Sequence, residues 1–596
     1  MGMITEDEAA MGVAWDLGTN GVRLTAEEEG GLKVSPRPVF FEELDLLRAG
    51  RWFAYPRCEA PLLWACGRRY FYRGEPVMRV EGGSLYRDPT VRILRGGLTL
   101  APTDVEGMAA RNRAALDALA EEAMGFISTL WANATAAGRA RGVHAAEVTA
   151  CRRGAPRGST VVRLGCGSFD AVLPAALQEA VARGEAVPQV DTVLCSFSAG
   201  KDSMVLLDLC ARALPPDAFT VVYADTGYEL PSSMALFERV KAKYPALRYV
   251  TVRNAQRVEA LWDAMGIPSQ RMRWCCTVQK TAPIYRALAA GRGGGAFALT
   301  FEGTRAAESA RRSGYDRVGL SAKTWRSINA RPLLRWRAVE VYLYLLARGL
   351  PLNAAYRHGL ARVGCAVCPH ATQWSEFVVS RVYRAKMQPF EARLRAYAAA
   401  GGVEDAARYV DEGKWKLRCT GDRIAPLRDT YLLFTRRDGA LRAEVANGRL
   451  PWDYFFGVLG RARTVDGARG VMINGSWHAV ASRRLDGGAQ ELTVTAAGGR
   501  AYPLVQRALY KATYCAACGA CVAECPTGAL RLGDGAGGVR LGVDAARCVH
   551  CHRCLTFHAY GCVAAESAHV SAAVGMRRAA RLGQDVALKS DNSKKV

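Results

Sequence analysis

The chain has 596 residues, of which half are apolar and 23% are charged, and its formal net charge is +24. This composition excludes an intrinsically disordered chain, and the length predicts roughly four domains rather than a single core. The sequence has no apolar run of 18 residues, and its acidic first ten residues lack an apolar signal core, so we expect a cytoplasmic protein without a membrane partner. In that compartment, 19 cysteines favour metal ligation over disulfides.

The excess of basic residues has two explanations. Arginine dominates it and is spread along the chain, which fits a basic surface around an anionic nucleotide site. A nucleic-acid partner would also explain the charge, but no basic helix or tail concentrates it. Nucleic acid is therefore a candidate partner that the sequence does not favour.

Residues 1–150 are predicted to form an N-terminal domain of unknown role, with mixed strands and turns followed by a helix over 105–140. Four cysteines lie in or just beyond this domain: Cys58, Cys66, Cys151 and Cys166. The first two are separated by seven residues, whereas half a zinc ribbon needs a Cys-x2–4-Cys pair, so we interpret them as free or buried thiols. The last two bracket a Gly/Arg-rich, hairpin-like stretch, and whether any of the four binds metal stays open.

From residue 185 to about 425, the pattern changes to alternating strands and helices. Short apolar runs rich in Val, Phe or Thr predict strands over 192–197, 219–224, 248–252 and 296–301. Helical segments between them imply crossover connections, so the predicted fold class is α/β, with a parallel sheet covered on both faces. Ligands of such sheets bind beyond the carboxyl ends of the strands, and the next signals fall there.

The first signal is a small-residue loop between the strand over 192–197 and an apolar-periodic helix. Such a corner directs backbone N–H groups and a helix N-terminus at one point, which suits phosphate, and Lys201 adds a positive charge. An ordinary strand-to-helix turn is the alternative. The candidate nucleotide-binding residues of the loop are Ser196, Ser198, Gly200, Lys201, Asp202 and Ser203.

Two further segments follow predicted strand ends. In the first, Asp225 and Thr226 could bind a nucleotide hydroxyl or Mg²⁺, and Gly227 permits a tight turn. In the second, two arginines offer forked donors to phosphate or sulfate oxygens. The candidate residues of this second segment are Gly303, Arg305, Glu308, Ser309 and Arg311.

Together these motifs resemble the phosphoadenosine phosphosulfate (PAPS) reductase family, whose PP-loop is shared with other adenine-nucleotide alpha hydrolases; Ala199 stands where that group often has Gly. The resemblance covers about residues 185–375. It rests on the Ser-x-Gly-Lys-Asp-Ser loop, Gly-x-Arg-x-x-Glu-Ser-x-Arg, Pro-Leu-x-x-Trp at 332–336, Asn353, Tyr356 and Gly-Cys-x-x-Cys-Pro at 364–369. It implies an adenine nucleotide as substrate: ATP, adenylylsulfate (APS) or PAPS. The residues that it implies act on the nucleotide are Lys201, Asp225, Arg305 and Arg311.

The resemblance also implies an iron–sulfur cluster within this domain. Adjacent cysteines followed almost ninety residues later by Cys-x-x-Cys are similar to the assimilatory APS reductases, where these four thiolates hold a 4Fe–4S cluster. The matching residues here are Cys275, Cys276, Cys365 and Cys368.

One family feature is missing. Sulfonucleotide reductases attack sulfur with a C-terminal cysteine in a Glu-Cys-Gly-Ile/Leu-His segment, which this sequence lacks. Cys419 lies beside Lys416 and Arg418, which could supply an electropositive neighbourhood, but its context does not match that motif. The intact loop and Arg273-Trp274-Cys275 also resemble ATP-cleaving relatives, including sulfate adenylyltransferases and proteins that thiolate tRNA or DNA. The substrate therefore stays open.

Residues 427–500 alternate short strands with Asp-Gly and Gly-Gly turns and predict a small α+β domain of unknown role. Residues 505–568 then carry the C-x2-C-x2-C-x3-C-P spacing of bacterial ferredoxins and a second cysteine triplet, where zinc would favour paired Cys-x2-Cys units. In a two-cluster ferredoxin, the fourth cysteine of each run serves the other cluster. The predicted ligands are Cys515, Cys518, Cys521 and Cys562 for the first site, and Cys548, Cys551, Cys554 and Cys525 for the second. Residues 570–596 predict a polar tail.

These parts lead to three hypotheses. The first is a PAPS-reductase-family redox enzyme that binds an adenine nucleotide and performs reductive sulfur chemistry, with electrons from an external donor relayed through three 4Fe–4S clusters. The second is an ATP pyrophosphatase-type sulfur-transfer enzyme that modifies tRNA or DNA. The third is a non-catalytic nucleotide-binding iron–sulfur electron carrier. Salt-sensitive nucleic-acid affinity would favour the second, and a lack of turnover would favour the third.

Overall fold

The computed structural model of the chain describes residues 12–25, 35–139, 160–163, 170–173, 190–289, 297–321, 323–324, 326–419, 430–495, 501–535 and 538–569. The chain groups into two compact units, Met1–Val252 with Ala296–Phe390 and Arg253–Gly295 with Glu391–Val596. Cys151, Cys166 and the predicted polar tail lie outside the described residues. Of the helices within the described ranges, none combines the length and apolar character needed to cross a bilayer.

The described helices are short, apart from one long helix near the N-terminus. In chain order they are α1 Phe41–Leu46, α2 Val105–Arg139, α3 Lys201–Ala213, α4 Pro231–Lys243, α5 Val258–Met265, α6 Trp274–Cys276, α7 Ala282–Ala289, α8 Ala310–Ser313, α9 Ala338–Ala347, α10 Ala354–Arg357, α11 Gln373–Val382, α12 Arg384–Ala400, α13 Ala406–Asp411, α14 Phe456–Leu459, α15 Ala501–Tyr514, α16 Ala520–Glu524, α17 Arg553–Thr556 and α18 Val563–Ala568. A π-helical turn over Thr277–Thr281 joins α6 to α7.

The first unit begins with antiparallel strands. β1 pairs with β2, and a five-stranded antiparallel sheet follows in the order β3-β5-β6-β7-β8. The strands are β1 Gly12–Asp16, β2 Gly21–Thr25, β3 Arg37–Val39, β4 Phe53–Ala54, β5 Leu63–Cys66, β6 Arg69–Tyr72, β7 Glu75–Gly82, β8 Pro89–Ile93 and β9 Leu98–Thr99. Helix α2 confirms the predicted helix over 105–140, and its buried apolar side chains pack it against β2, α3 and α9.

β10 (Thr160–Arg163) then pairs antiparallel with β11 (Asp170–Leu173), while most of the hairpin-like stretch predicted between Cys151 and Cys166 lies outside the described residues. Cys58 and Cys66 form no disulfide bond, and whether they bind metal stays open. Burial raises the pKa of the Cys66 thiol to about 11.

The centre of the first unit is a six-stranded sheet in the order β14-β13-β12-β15-β17-β16. Its strands are β12 Thr192–Phe197, β13 Thr220–Asp225, β14 Arg248–Arg253, β15 Ala298–Phe301, β16 Val318–Leu320 and β17 Ser327–Ala330. β12 is parallel to β13 and β15, β15 is parallel to β17, and β16 is antiparallel to β17. The four predicted strands and the α/β fold class are confirmed, because continuous apolar runs are what a sheet covered by helices on both faces requires.

Helix α3 follows β12 and is the most deeply buried helix of this unit. Its residues from Ser203 to Cys210 are all buried, because α2 and α9 cover its outer side. Asp208 lies within this interior, where Tyr344 Oη donates to it at 2.6 Å, Tyr244 Oη at 2.9 Å and Arg348 Nε at 3.1 Å. These donors compensate for the lost hydration of the carboxylate, so they help to hold the helix that starts at the 196–203 loop.

The second unit contains a six-stranded antiparallel sheet in the order β18-β19-β23-β22-β21-β20, whose strands lie within the segment 427–500, for which a small α+β domain is predicted. A hairpin of β24 and β25 and the short helices α15 to α18 follow it. The strands are β18 Tyr431–Arg437, β19 Ala440–Ala446, β20 Ala462–Val465, β21 Ala468–Ile473, β22 Ser476–Arg484, β23 Gln490–Val494, β24 Leu530–Gly535 and β25 Gly538–Val543. The segment 253–295 belongs to this unit: α7 packs on α16, while α5 and α6 pack on α18.

Candidate functional site

The predicted phosphate loop lies at the carboxyl end of β12, and one hydroxyl holds its shape. Ser203 Oγ accepts the N–H groups of Ser198 and Gly200, each at 3.2 Å, and donates to the Gly200 carbonyl at 2.9 Å. Ser196 lies on β12 and is half-buried, and Ser198 Oγ is 3.3 Å from Ser203 Oγ. The loop is therefore closed on itself at the N-terminus of α3, where helix geometry favours an anion.

Two small residues matter here, one for the conformation of the loop and one for the close approach of a neighbouring segment. Ala199 has φ of +55°, a left-handed conformation that costs a residue with a Cβ about 1–2 kcal/mol and that glycine adopts without this cost. This accounts for the glycine that related loops carry there. At Gly303, an added Cβ would lie 3.0 Å from the backbone C and O atoms of Asp202, so only glycine allows the 303–311 segment this close to the loop.

This close approach creates an ion network. Asp202 accepts from Lys201 Nζ at 2.7 Å and from Arg305 Nε at 2.5 Å. Lys201 is 3% exposed and Arg305 is also buried. Burial lowers the pKa of Lys201, with Asp202 opposing the shift. Burial alone would raise the pKa of Asp202, but the two cations outweigh it and the pKa is lowered. Two cations share one carboxylate, so the network keeps a net positive charge.

Aromatic and amide side chains from the α9–α10 region complete the loop. Tyr356 Oη accepts the N–H of Lys201 at 3.0 Å, and Asn353 Nδ2 donates to the Ala199 carbonyl at 3.0 Å. Lys201 Nζ lies 5.8 Å from the ring centre of Tyr342 and 5.7 Å from that of Tyr356. Exposed Arg362 lies close enough to lower the pKa of Lys201 further. Sequence reasoning missed Tyr342 and Arg362, because neither belongs to a spaced motif.

The 225–227 segment follows β13 and is tied to a predicted cluster ligand. Asp225 Oδ1 accepts the N–H of Gly227 at 2.9 Å, and Thr226 Oγ1 donates to Glu229 Oε1 at 2.9 Å. Cys365 Sγ is 3.6 Å from Thr226 Oγ1. Asp225 and Thr226 are buried. In this arrangement the carboxylate and the hydroxyl shape the turn that faces Cys365.

In the 303–311 segment, Glu308 is the organising residue. Its Oε2 accepts the backbone N–H of Arg305 at 3.2 Å and the guanidinium of Arg312. Ser309 Oγ caps α8 by accepting the N–H of Arg312 at 3.4 Å. Arg311 is exposed and makes no hydrogen bond to the described residues. Within this segment Arg312 therefore makes the internal ion pair, and the role of Arg311 toward a nucleotide stays a prediction.

The first ferredoxin-type site gathers four cysteines from separate elements of the second unit. They come from the end of α15, the loop after it, α16 and the residue before α18: Cys515, Cys518, Cys521 and Cys562. Burial raises the pKa of Cys515 to about 12, and the charges of Cys562 and Cys521 add to the shift. The same two thiols raise the pKa of Cys518 in addition to its burial. The structure thus places Cys562 beside Cys515, Cys518 and Cys521. From the sequence, Cys562 was the least certain of the predicted ligands, because a long gap separates it from the second cysteine triplet.

The second ferredoxin-type site is a pocket that opens to solvent, with about 330 Å³ of empty space including the solvent at its mouth. Four of its lining residues are the predicted ligands Cys525, Cys548, Cys551 and Cys554, and Pro526 and Val458 are among the others. Ala529 N donates to Cys525 Sγ at 3.2 Å, the kind of backbone contact that stabilises a ligating sulfur.

These two sets of four thiols fit 4Fe–4S clusters. Cysteine sulfur is the donor that such clusters use, and four cysteines line one pocket at the second site. Among the described residues, no three His, Cys, Asp or Glu side chains lie close enough to share one metal ion. A cubane cluster distributes its ligands over four irons, so it needs wider thiol spacing than a single ion.

The remaining predicted ligands lie in both units. Cys275 and Cys276 are on α6 in the second unit, where Arg273 Nη2 donates to Cys276 Sγ at 3.8 Å. Cys365 and Cys368 lie in the first unit, and Cys365 follows the loop that Tyr356 anchors. Each pair is half-buried.

Cys419 is exposed, and its Sγ donates to the Leu417 carbonyl at 3.1 Å. The guanidinium of its neighbour Arg418 is buried and donates to the carbonyls of Ile267 and Ser567, each at 2.7 Å. Arg418, one of the two cations that could supply an electropositive neighbourhood for this thiol, therefore makes structural hydrogen bonds instead.

Comparison with known proteins identifies both parts. Residues 192–371 match the phosphoadenosine phosphosulfate reductase domain, and residues 514–557 match the 4Fe-4S dicluster domain. An APS reductase of Staphylococcus epidermidis is 32% identical over 29% of this chain and 68% of its own length. An uncharacterised protein of Methanocaldococcus jannaschii is 30% identical over 38% of this chain.

The chain spans only 45% of the length of the Methanocaldococcus protein. A crystal structure of PAPS reductase from Candida auris is 20% identical, with a TM-score of 0.24, over 32% of this chain and 85% of that protein. The match to the Staphylococcus enzyme covers two thirds of that protein at more than 30% identity. The chain therefore belongs to the PAPS reductase family and carries a 4Fe–4S dicluster domain beside the family domain.

Proposed function

We propose that this chain is a redox enzyme that binds an adenine nucleotide at the 196–203 loop and uses electrons from its ferredoxin-type domain for reductive sulfur chemistry. One observation carries the proposal: the first ferredoxin-type site is held against the segment that bears Cys275 and Cys276. Asn254 Nδ2 donates to the Cys518 carbonyl at 3.0 Å and to the Val278 carbonyl at 2.9 Å. A single amide thus links the cysteine loop to the helical turn after Cys276.

A second amide strengthens this attachment. Gln256 Nε2 donates to the carbonyls of Ala516 and Ala517 at 2.5 and 2.9 Å. Helix α6, which carries Cys275 and Cys276, also packs on α18, which begins directly after Cys562. When bound, 4Fe–4S clusters supply one-electron transfer, and such transfer requires short distances between centres. Residues 254–276 provide a rigid connection of this kind within one unit.

The nucleotide part of the proposal rests on charge. The two positive charges of Lys201 and Arg305 outnumber the one negative charge of Asp202. Arg362 adds a further cation, which has no carboxylate partner among the described residues. Such a preorganised positive site stabilises phosphate or sulfo oxygens without reorganisation during the reaction. Asp225 and Thr226 would orient the ribose or Mg²⁺. The family resemblance implies that Cys275, Cys276, Cys365 and Cys368 would hold a third cluster.

The test uses full-length protein purified without oxygen and reduced with dithionite. ATP, APS and PAPS are each supplied, and pyrophosphate, AMP and sulfite are measured. We expect release of AMP or of sulfite that depends on the reductant, and we expect Asn254→Ala to slow it while nucleotide affinity is kept. A matched control is Gln506→Ala, which removes an amide on α15 whose hydrogen bond to Tyr502 at 3.0 Å lies within that helix. Pyrophosphate release from ATP without any reductant would contradict the redox proposal.

A second candidate function, sulfur transfer to a nucleic acid, is favoured by one feature of the N-terminal sheet. Arg69, Arg79 and Arg92 lie directly opposite each other on β6, β7 and β8. All three are exposed, and Glu81 is the carboxylate that contacts Arg79 and Arg92, each at 3.2 Å. Like charges directly opposite destabilise a sheet, and adjacent strands are about 4.8 Å apart. A polyanion would compensate for this row of arginines.

Binding of tRNA at increasing salt tests this candidate. If the row contacts phosphates, the triple variant Arg69→Ser, Arg79→Ser, Arg92→Ser should bind more weakly, and the slope of log affinity against log salt should fall by about 2 for single-stranded contacts. Arg48→Ser, at an exposed arginine of the same unit outside the row, is the control. Equal affinities of the triple variant and the wild type would remove the row as a nucleic-acid surface.

A further inference from the structure

Three cations surround the first ferredoxin-type site, and within the described residues none of them pairs with a carboxylate. The most buried is Lys511, which is 1% exposed and lies on α15 one turn before Cys515. Its Nζ is 5.5 Å from the ring centres of Phe455 and Phe557. Aromatic faces attract a cation but do not neutralise it, so this ammonium needs a negative partner.

The other two cations approach the same cysteines from other elements. Arg286 on α7 lies against Gly519, where an added Cβ would be 3.1 Å from its Nη1. Arg449, after β19, donates from Nη1 to the Tyr514 carbonyl at 3.2 Å and from Nη2 to the Ala264 carbonyl at 2.8 Å. Gly519 and Tyr514 are the immediate neighbours of Cys518 and Cys515.

The sulfurs of the first site are the groups that these cations lie near. Lys511 interacts with Cys521 and Cys562, Arg286 with Cys518 and Cys521, and Arg449 with Cys515 and Cys562. A 4Fe–4S cluster held by four cysteine thiolates would carry negative charge, and that charge would compensate for the burial of the cations.

The second site differs in its surroundings. Of the three cations, only Lys511 interacts with one of its cysteines, Cys554. The second site has a cation of its own, Arg553, which interacts with Cys551, but Arg553 also interacts with the carboxylate of Glu524. Its rim is also open, because Cys551 is exposed and Val549 is 62% exposed. Water there screens charges that would act at full strength in the interior around the first site.

We propose that Lys511, Arg286 and Arg449 raise the reduction potential of the first site, so that it is the electron-accepting end of the ferredoxin-type domain and the second, exposed site is the donating end. Reduction adds one negative charge, which nearby buried cations stabilise. One electron leaves the second site and one arrives at the first, and the step needs no proton or further reactant. The inference rests on the proposed function only in taking both sites as 4Fe–4S clusters. It gives the electron a direction, toward the site attached to the segment with Cys275 and Cys276.

The test is a reductive titration of the full-length protein followed by electron paramagnetic resonance. Cys518→Ser and Cys551→Ser, which each alter one site, assign the two signals. We expect the first site to have the higher potential in the wild type. Lys511→Met should lower that potential by at least about 59 mV, which corresponds to a tenfold decrease in the equilibrium constant for one-electron reduction. Arg286→Met and Arg449→Met should lower the reduction potential of the first site only.

Arg531→Met is the matched control, because Arg531 is exposed and lies 4.0 Å from a carboxylate oxygen of Asp544, so both potentials should stay unchanged. If Lys511→Met loses iron, the two arginine variants decide, since their side chains enter from outside α15. A first site of lower potential than the second, or unchanged potentials in Arg286→Met and Arg449→Met at full iron content, overturns the inference. The titration uses no nucleotide, so its result tests this inference even if the turnover assay fails. The absence of two 4Fe–4S signals would contradict both this inference and the proposed function.

Discussion

Replacing Lys201 with methionine should weaken adenine-nucleotide binding without unfolding the first unit. Lys201 Nζ donates to Asp202 at 2.7 Å, but Arg305 holds the same carboxylate at 2.5 Å, so the variant leaves Asp202 paired. Burial lowers the pKa of Lys201, which means that its charge costs folding free energy. Removing that charge should therefore change the free energy of unfolding little. A charge-assisted hydrogen bond contributes about 1.5–3 kcal/mol, so nucleotide affinity should fall about 10- to 150-fold.

The assay is titration calorimetry of the oxygen-free, full-length protein with ATP and with APS, beside thermal unfolding of the same samples. Lys241→Met is the control, because Lys241 is a partly exposed lysine of the same unit that pairs with Glu238 at 2.9 Å. It should bind both nucleotides as the wild type does. Equal nucleotide affinities of Lys201→Met and the control would refute the assignment of the loop to phosphate. A fall in unfolding temperature that accounts for the lost affinity would make Lys201 a structural residue instead.

Three further predictions follow from the same sites. Burial lowers the pKa of Lys201 from its usual 10.5, so the side chain loses its charge as pH rises through that lowered value. Calorimetry should therefore show nucleotide affinity decreasing with rising pH, and the decrease should begin before pH 10.5 is reached. In Lys201→Arg the decrease should move to higher pH, since guanidinium keeps its proton. Protein purified without oxygen should contain about twelve iron atoms per chain, and Cys275→Ala should lose about a third of them in a metal assay; zinc at Cys365 and Cys368 would contradict the third cluster. Cys518→Ala should abolish dithionite-driven turnover while nucleotide affinity survives; thioredoxin-dependent sulfite release that is lost on Cys419→Ser and kept on Cys518→Ala would instead indicate a relocated nucleophile.

Local patterns were sufficient for much of this protein. The apolar runs that became β12, β13 and β15 were visible in the sequence, because a strand covered on both faces must be continuously apolar. The edge strand β14 is mostly exposed, and it was found from its content of Val, Tyr and Thr instead. The loop between β12 and α3 was also visible, since its small residues and its lysine are contiguous. The ferredoxin-type cysteines were found for the same reason: ligand spacing along a short segment is itself the signal.

Tertiary structure decided which distant residues complete these sites. Arg305 lies 103 positions after Asp202, and its ion pair depends on the close approach that Gly303 allows. Asn254 holds the cysteine loop from 264 positions away, which no spacing rule contains. Lys511 is a single lysine in a helix, and only the packing of aromatic side chains and cysteines around it makes it a buried cation beside the first ferredoxin-type site. The sequence by itself determined the elements and the local motifs, because neighbouring residues encode them. The fold alone determined the electrostatics of both sites, because burial and charge pairing arise between elements that are distant in the chain.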